Sequence, residues 1–144
     1  MYSKCDDLEK AIKVFENIKE KNVISYNSMI GSYANDGKGE EGVKLFEKMI
    51  KETNLIPDEV TFICLLTGCS HSGLVDKAQH YFELMKEYKI PPNIYHYNCM
   101  IDVLSRKGKL DEAEKYMKML KLQNIKIDVK KFNIVFFFKM ENKN

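Results

Sequence analysis

Leu45-Phe46-Glu47-Lys48-Met49 returns 36 residues later as Tyr81-Phe82-Glu83-Leu84-Met85, and 35 residues after that as Tyr116-Met117-Lys118-Met119-Leu120. Val14-Phe15-Glu16-Asn17-Ile18 stands 31 residues before the first of these. Glycines keep the same beat at Gly37, Gly73 and Gly108, spaced by 36 and 35, and Asp6 lies in register 31 residues before them. Pro57-Asp58 and Pro92-Asn93 are 35 apart, and Ile127-Asp128 takes that place after another 35. A register held this long marks a repeated supersecondary unit of about 35 residues.

Each unit resolves into two helices. Ahead of the glycine, apolar residues fall at i, i+3, i+4 and i+7: Tyr26, Met29, Ile30, Tyr33; Phe62, Leu65, Leu66, Cys69; Tyr97, Met100, Ile101, Leu104. After the glycine a second stripe follows: Gly42, Val43, Phe46, Met49; Leu74, Ala78, Phe82, Met85; Leu110, Ala113, Met117, Leu120, with Leu8, Ala11, Phe15 and Ile18 as an earlier copy. Ala11, Gly42, Ala78 and Ala113 share one place in it, where a small side chain is expected to let the helices of a hairpin approach closely. Helices this short cannot bury their faces in pairs, so hairpin must stack on hairpin in an all-α solenoid with one thin, continuous core. The expected units are 23–58, 59–93 and 94–128, flanked by a partial unit at 1–22 and the start of another at 129–144.

At 144 residues, 44% hydrophobic and 31% charged, the chain has the make-up of a folded domain rather than a fibre or a disordered tail. Its 23 basic and 21 acidic residues leave a net charge of +2, so any attraction to nucleic acid must come from local placement. Cys5, Cys64, Cys69 and Cys99 form no CxxC pair and have no suitably spaced histidine, so they read as reduced, packed thiols. His71, His80 and His96 fall on different faces and read as surface residues. No apolar run approaches the roughly 20 residues of a membrane span, and Phe136-Phe137-Phe138 is only a short cluster. Neither a membrane nor a small-molecule substrate is expected as partner, and no cofactor or metal is implied.

The period also fits tetratricopeptide repeats, but their first helix carries a tryptophan and this chain has none. The pattern instead resembles the pentatricopeptide repeat family, on Val-Ile-Ser-Tyr-Asn-Ser-Met-Ile (23–30), Gly-Glu-Glu-Gly-Val-Lys-Leu-Phe-Glu-Lys-Met (39–49) and Ile-Pro-Asp (56–58). Met-Tyr-Ser-Lys-Cys (1–5), Cys-Ser-His-Ser-Gly-Leu-Val (69–75) and Met-Ile-Asp-Val-Leu-Ser-Arg-Lys-Gly-Lys-Leu (100–110) are similar to short and long unit types. Together they resemble the mixed-length arrays of land plants. That resemblance implies single-stranded RNA as partner, one base per repeat, and a role in processing or editing transcripts of mitochondrion or chloroplast.

Asn27 and Asn98 each follow the first aromatic of the stripe by one residue, a rotation of roughly 100° that takes them off the hairpin core. Outside a repeat, each would read as a capping or surface asparagine. An amide carries donors and an acceptor and suits the Watson–Crick edge of an unstacked base. The family resemblance implies base-reading pairs Asn27 with Asp58, Ile63 with Asn93, and Asn98 with Asp128, and a preference for 5′-U-N-U, with the RNA parallel to the protein and Ile63 weakly selective. It also implies that Ile24 and Val60 sandwich bases; Tyr95 and Lys130 depart from that aliphatic pattern, although Tyr95 can stack. Arg106, Lys107 and Lys4 stand where phosphate contacts are expected, though a solvated helix C-terminus favours cations too, and Asn35 and His71 hold the Arg106 register in the other units.

No catalytic constellation competes with this. The deaminase-like domain of some relatives needs H-x-E and C-x-x-C, and neither occurs, so the chain is not expected to be an enzyme. Glu40-Glu41 and Asp111-Glu112 read as first-turn acids favoured by the helix dipole. The run Val129-Lys130-Lys131-Phe132-Asn133-Ile134-Val135-Phe136 begins the first-helix pattern again, and Phe132, Val135 and Phe136 are expected to need a partner or a further repeat to cover them. A protein scaffold that grips peptides in its groove is the alternative, and the near-zero net charge leaves it open.

Overall fold

The computed structural model describes residues 4–123, with side chains from Asp7 onward. All regular structure among the described residues is helical: α1 (Lys4–Asn17), α2 (Val23–Asn35), α3 (Gly39–Glu52), α4 (Glu59–Ser72), α5 (Val75–Glu87), α6 (Ile94–Arg106) and α7 (Leu110–Leu122). Helices α2/α3, α4/α5 and α6/α7 form consecutive hairpins, and α1 packs on α2 as a second helix.

The expected glycines make the turns. Gly37, Gly73 and Gly108 have φ of 74°, 68° and 76°, a left-handed conformation costly for any residue with a Cβ. After each, one backbone N–H reaches back five residues: Lys38 to Tyr33 O at 2.8 Å, Leu74 to Cys69 O at 2.9 Å and Lys109 to Leu104 O at 2.8 Å. This closure satisfies orphan carbonyls at the end of each first helix and aims the chain back along it. Asp6, in register with these glycines, lies inside α1 instead. An aspartate lacks glycine's freedom at positive φ, and the backbone there stays helical.

The first helices start differently. Asn22, Asp58 and Asn93 are the N-caps of α2, α4 and α6, each accepting from the backbone N–H three residues on, while Ser25, Thr61 and His96 return the bond to the cap's own N–H. The recurring polar residue that ends each unit is therefore also the cap that starts the next. This places His96, read above as a surface residue, in the interior: it is fully buried, its Nδ1 accepts from Asn93 N–H at 3.0 Å and its Nε2–H donates to Glu59 O at 3.0 Å. His71 and His80 are exposed as expected.

Both stripes face inward. An aromatic relay crosses the stack, with Phe46 edge-on to Phe62 at 5.7 Å and to Tyr81 at 5.4 Å, and Phe82 edge-on to Tyr97 at 5.3 Å and to Tyr116 at 5.1 Å. Such pairs add about 0.5–1.5 kcal/mol each beyond the area they bury. Helices α2, α4 and α6 pack directly on one another. Helices α3, α5 and α7 reach each other through long side chains: Tyr81 Oη to Glu47 at 2.6 Å, Lys77 to Glu40 at 3.3 Å and Gln79 to Glu112 at 3.1 Å. The first helices thus form the tighter, inner layer of the solenoid.

Gly42 of the small-residue stripe lies against α2 of its own hairpin, but the tightest approach is elsewhere. A Cβ added to Gly42 would sit 3.6 Å from Ile30, an ordinary contact. A Cβ on Gly39 would press into the backbone of Gly68, 2.7 Å from its carbonyl carbon and closer still to the oxygen. The crossing that demands glycine is between α3 and the α4 of the next hairpin. Ser72 fastens the same junction, accepting from Gly39 N–H at 2.9 Å and donating to Gly37 O at 3.2 Å.

Candidate nucleic-acid interface

The inner layer exposes one apolar side chain near the start of each first helix: Ile24 at 72%, Val60 at 45% and Tyr95 at 53%. Burying an isolated side chain of this kind is worth roughly 1.5–3 kcal/mol. Exposing one at the same point in three successive units is therefore a costly regularity in a chain that otherwise buries its stripes. Three positions on, and so on the same helix face, come Asn27, Ile63 and Asn98. The floor between neighbouring units is small and polar, with Gly31 against Cys64, the Thr67 hydroxyl 3.5 Å from Cys99 Sγ, and Ser70 donating to Asp102.

Asn27 and Asp58, 31 residues apart, come together: Asn27 Nδ2 donates to Asp58 Oδ1 at 3.0 Å. Thr61 closes the group, with its hydroxyl donating to Asn27 Oδ1 at 2.6 Å and its N–H to Asp58 Oδ1 at 3.0 Å. Burial alone would raise the Asp58 pKa, but the bonds it accepts from Thr61 and Asn27 outweigh this and hold the carboxyl below its ordinary 3.8. Asn27 is only 6% exposed. It is therefore a wall of the groove set beside an exposed, ionised carboxylate.

The other two pairs differ. Ile63 is half-buried, and the Asn93 side chain accepts from Tyr95 N–H at 2.9 Å and His96 N–H at 3.4 Å, serving as a cap. Both amide atoms of Asn98 are buried and have no hydrogen-bond partner among the described residues. Asp128 and Lys130, like Phe132, Val135 and Phe136, lie outside the described residues.

Of the expected cations, Arg106 is half exposed and its Nε meets Asp102 Oδ1 at 3.2 Å, so part of its charge is answered within the protein. Lys107 caps α6, and the end of its side chain lies over the turn at Gly73. Lys4 begins α1, and its side chain is not among those described. Of the residues in the Arg106 register, His71 bonds through Nδ1 to Ala34 O at 3.0 Å, and Asn35 is exposed. The described groove is thus sparsely basic. Cys64 and Cys69 are free thiols; burial pushes Cys64 up to about 11 and Cys69 up to about 12, which leaves both protonated and unreactive at neutral pH. Among the described residues no helix is long and apolar enough to cross a membrane, and no cluster could hold a metal ion.

The site reading missed the capping residues, although Asn-x-x-Ser at 22–25 and Asp-x-x-Thr at 58–61 carry the signal. His96 yields a test. Burial lowers its pKa below the ordinary 6.5, partly opposed by the Glu59 carbonyl. Above about pH 6.5 the imidazole is neutral folded or unfolded, and its contribution to stability is complete. As the pH falls below that, the unfolded chain takes up a proton that the folded box resists, and stability is lost. Thermal unfolding followed between about pH 7.5 and 5.5 should show a falling Tm whose slope is reduced in His96→Thr, the residue at this register in the preceding unit. An unchanged slope in that variant would mean the box does not sense His96 protonation.

Comparison with known proteins gives the same repeat along the chain. Models of the PPR repeat family match residues 21–71, and PPR repeat models match residues 1–23, 60–90 and 89–119. A mitochondrial pentatricopeptide repeat-containing protein of Arabidopsis thaliana is 48% identical over 85 residues, 59% of this chain and 9% of the relative. A second from that plant is 45% identical over 85 residues, 59% of this chain and 13% of its own length. The chain thus spans a small part of the curated relatives it matches. Among solved structures, PPR10 bound to an 18-nt psaJ RNA element superposes with a TM-score of 0.76 at 23% identity, covering 86% of this chain and 19% of that one. The PPR domain of Arabidopsis thaliana protein-only RNase P 1 in complex with tRNA gives 0.74 at 18% identity, covering 87% and 68%. At these identities the likeness is one of fold.

Proposed function

The chain belongs to the pentatricopeptide repeat family, and on that footing we propose that it binds single-stranded RNA along its inner layer of first helices, one base per repeat. The observation that carries this reading is the recurrence, once per repeat, of an exposed apolar side chain one helical turn before the reading position: Ile24 before Asn27, Val60 before Ile63, Tyr95 before Asn98. An exposed apolar or aromatic group offers a base a face to stack on, and the neighbouring polar group meets its edge. Solved relatives of the same fold, PPR10 and the protein-only RNase P domain, hold RNA.

In this reading Asn27 with Asp58 and Asn98 with Asp128 select uracil, while Ile63 with Asn93 tolerates any base, so the preferred sequence is 5′-U-N-U, parallel to the protein. Unit lengths and motifs support a mixed-length array, and a mitochondrial relative supports an organellar transcript as target. Arg106 and Lys107 add phosphate contacts, few enough that binding is weak and its salt dependence shallow. The structure contains a natural comparison, because Ile63 is an apolar residue at the reading position. Asn27→Ile in the full chain should therefore cost about tenfold in preference for uracil over adenine at the first U, with the last U still preferred. An Asn27→Ile variant that stays helical and keeps its preference at the first U would remove Asn27 from the reading.

A further inference from the structure

We propose that Thr61 is a positioning residue for base selection: its hydroxyl fixes which way round the Asn27 amide faces the groove, and so distinguishes uracil from cytosine. The inference rests on the base-reading role given to Asn27 above. An asparagine amide is nearly symmetric in shape, and its oxygen and nitrogen exchange places by a half-turn. Which atom lies where is decided by neighbours. Asp58 N–H donates to Thr61 Oγ1 at 3.0 Å, which engages one lone pair of the hydroxyl oxygen. The hydroxyl proton has Asn27 Oδ1 at 2.6 Å and Asp58 Oδ1 at 3.0 Å as acceptors, and the shorter contact is to Asn27. On its other side the Asn27 amide donates to Asp58 Oδ1. A half-turn would set the amide oxygen against the carboxylate and leave the Thr61 proton without its nearer acceptor. With Thr61 fully buried, water cannot take over that proton at little cost, and it would fall back on the longer contact to Asp58 Oδ1.

Once oriented, the amide retains one N–H and one oxygen lone pair for a ligand, in a fixed order. Uracil presents a ring N–H beside a carbonyl oxygen, and cytosine presents a ring nitrogen acceptor beside an amino group. These edges are the same size and opposite in sense, so a pinned amide complements one and opposes the other, whereas a freely turning amide accepts both.

The chain holds its own contrast. Asn98 occupies the same register, but the residue corresponding to Thr61 is Lys131, which has no hydroxyl, and neither amide atom of Asn98 has a partner among the described residues. The first U of U-N-U should therefore be discriminated from C more sharply than the last. In unit 59–93 the corresponding residue is His96, beside Ile63, where there is no amide to orient.

The test uses the full chain and short single-stranded RNAs with fixed flanks carrying U-N-U, C-N-U, U-N-C and A-N-A, measured by fluorescence anisotropy at low salt. In the wild type, U over C is expected to be stronger at the first position than at the last. Thr61→Val should lower the first-position ratio about fivefold or more, and Thr61→Ser should restore it. Ser25→Val breaks the corresponding capping box of α2 and should lower Tm to a similar degree without moving the ratio, which separates positioning from simple destabilisation. A folded Thr61→Val with the wild-type U-over-C ratio overturns the proposal. If Thr61→Val does not fold, equal U-over-C ratios at the two positions of the wild type overturn it. A wild type that does not distinguish U-N-U from A-N-A removes the base-reading role itself, and this inference with it.

Discussion

Gly39→Ala is expected to destabilise the chain by about 3 kcal/mol, whereas Gly42→Ala, three residues along the same helix, should be neutral or stabilising by about 0.5–1 kcal/mol. Both are glycines in the first turns of α3, and an alanine suits both by helix propensity. The difference lies in what the new methyl meets. At Gly42 it has ordinary contact distances to Ile30 and Tyr33, all at or beyond 3.6 Å. At Gly39 it meets the peptide of Gly68, and backbone held in the middle of α4 cannot turn aside as a side-chain end can. The hairpins must move apart, which also stretches the Ser72 bond to Gly39 N–H. Urea unfolding followed by far-ultraviolet circular dichroism measures both variants. Equal effects from the two would show that the crossing of α3 and α4 is looser than described.

Phe62→Ala should be costlier, about 3–5 kcal/mol, against the 5–15 kcal/mol that typically holds a domain. Phe62 is fully buried in the middle hairpin, edge-on to Phe46 of the hairpin before it and tilted against Tyr88 at 5.9 Å. Its loss leaves a cavity between units, and a solenoid is stabilised chiefly by contacts between neighbours. The expected result is a lower transition midpoint together with a shallower transition, as the flanking hairpins lose their common partner. A variant unfolding with wild-type midpoint and slope would mean that the hairpins do not depend on this contact.

Much of the fold was legible because its signals are local. The stripes at helical spacing locate the buried faces, and a glycine every 35 or 36 residues is needed wherever the chain takes a left-handed turn. Other features depend on which helix lies beside which. Gly39 looks unremarkable in sequence, and only the stacking of α3 on α4 makes its missing side chain indispensable, while a Cβ on Gly68 would be merely tight, 3.3 Å from Gly39. The scatter of the three histidines over different faces suggests a surface place for His96, whereas its position three residues after a capping asparagine puts it inside. Asp102 stands four residues before Arg106 on α6, a local spacing, whereas its bond from Ser70 needs the register of α4 against α6. At the site, the partnership of Asn27 and Asp58 came from family resemblance, since no periodicity within a helix joins residues 31 apart. The capping role of Asp58 and Asn93 is also written in the sequence, because the residue that ends one unit is the one that starts the next helix.

The most direct measurement is the affinity of the full chain for two short single-stranded RNAs that differ only in carrying U-N-U or A-N-A, taken at low salt and repeated as salt is raised. Clearly tighter binding to U-N-U, with both affinities falling as salt increases, is the expected result, because phosphate contacts set the strength and the asparagine amides set the choice. Equal binding to the two RNAs by a folded, helical chain would contradict base reading, leave only the repeat fold, and turn the groove of first helices toward a peptide partner instead.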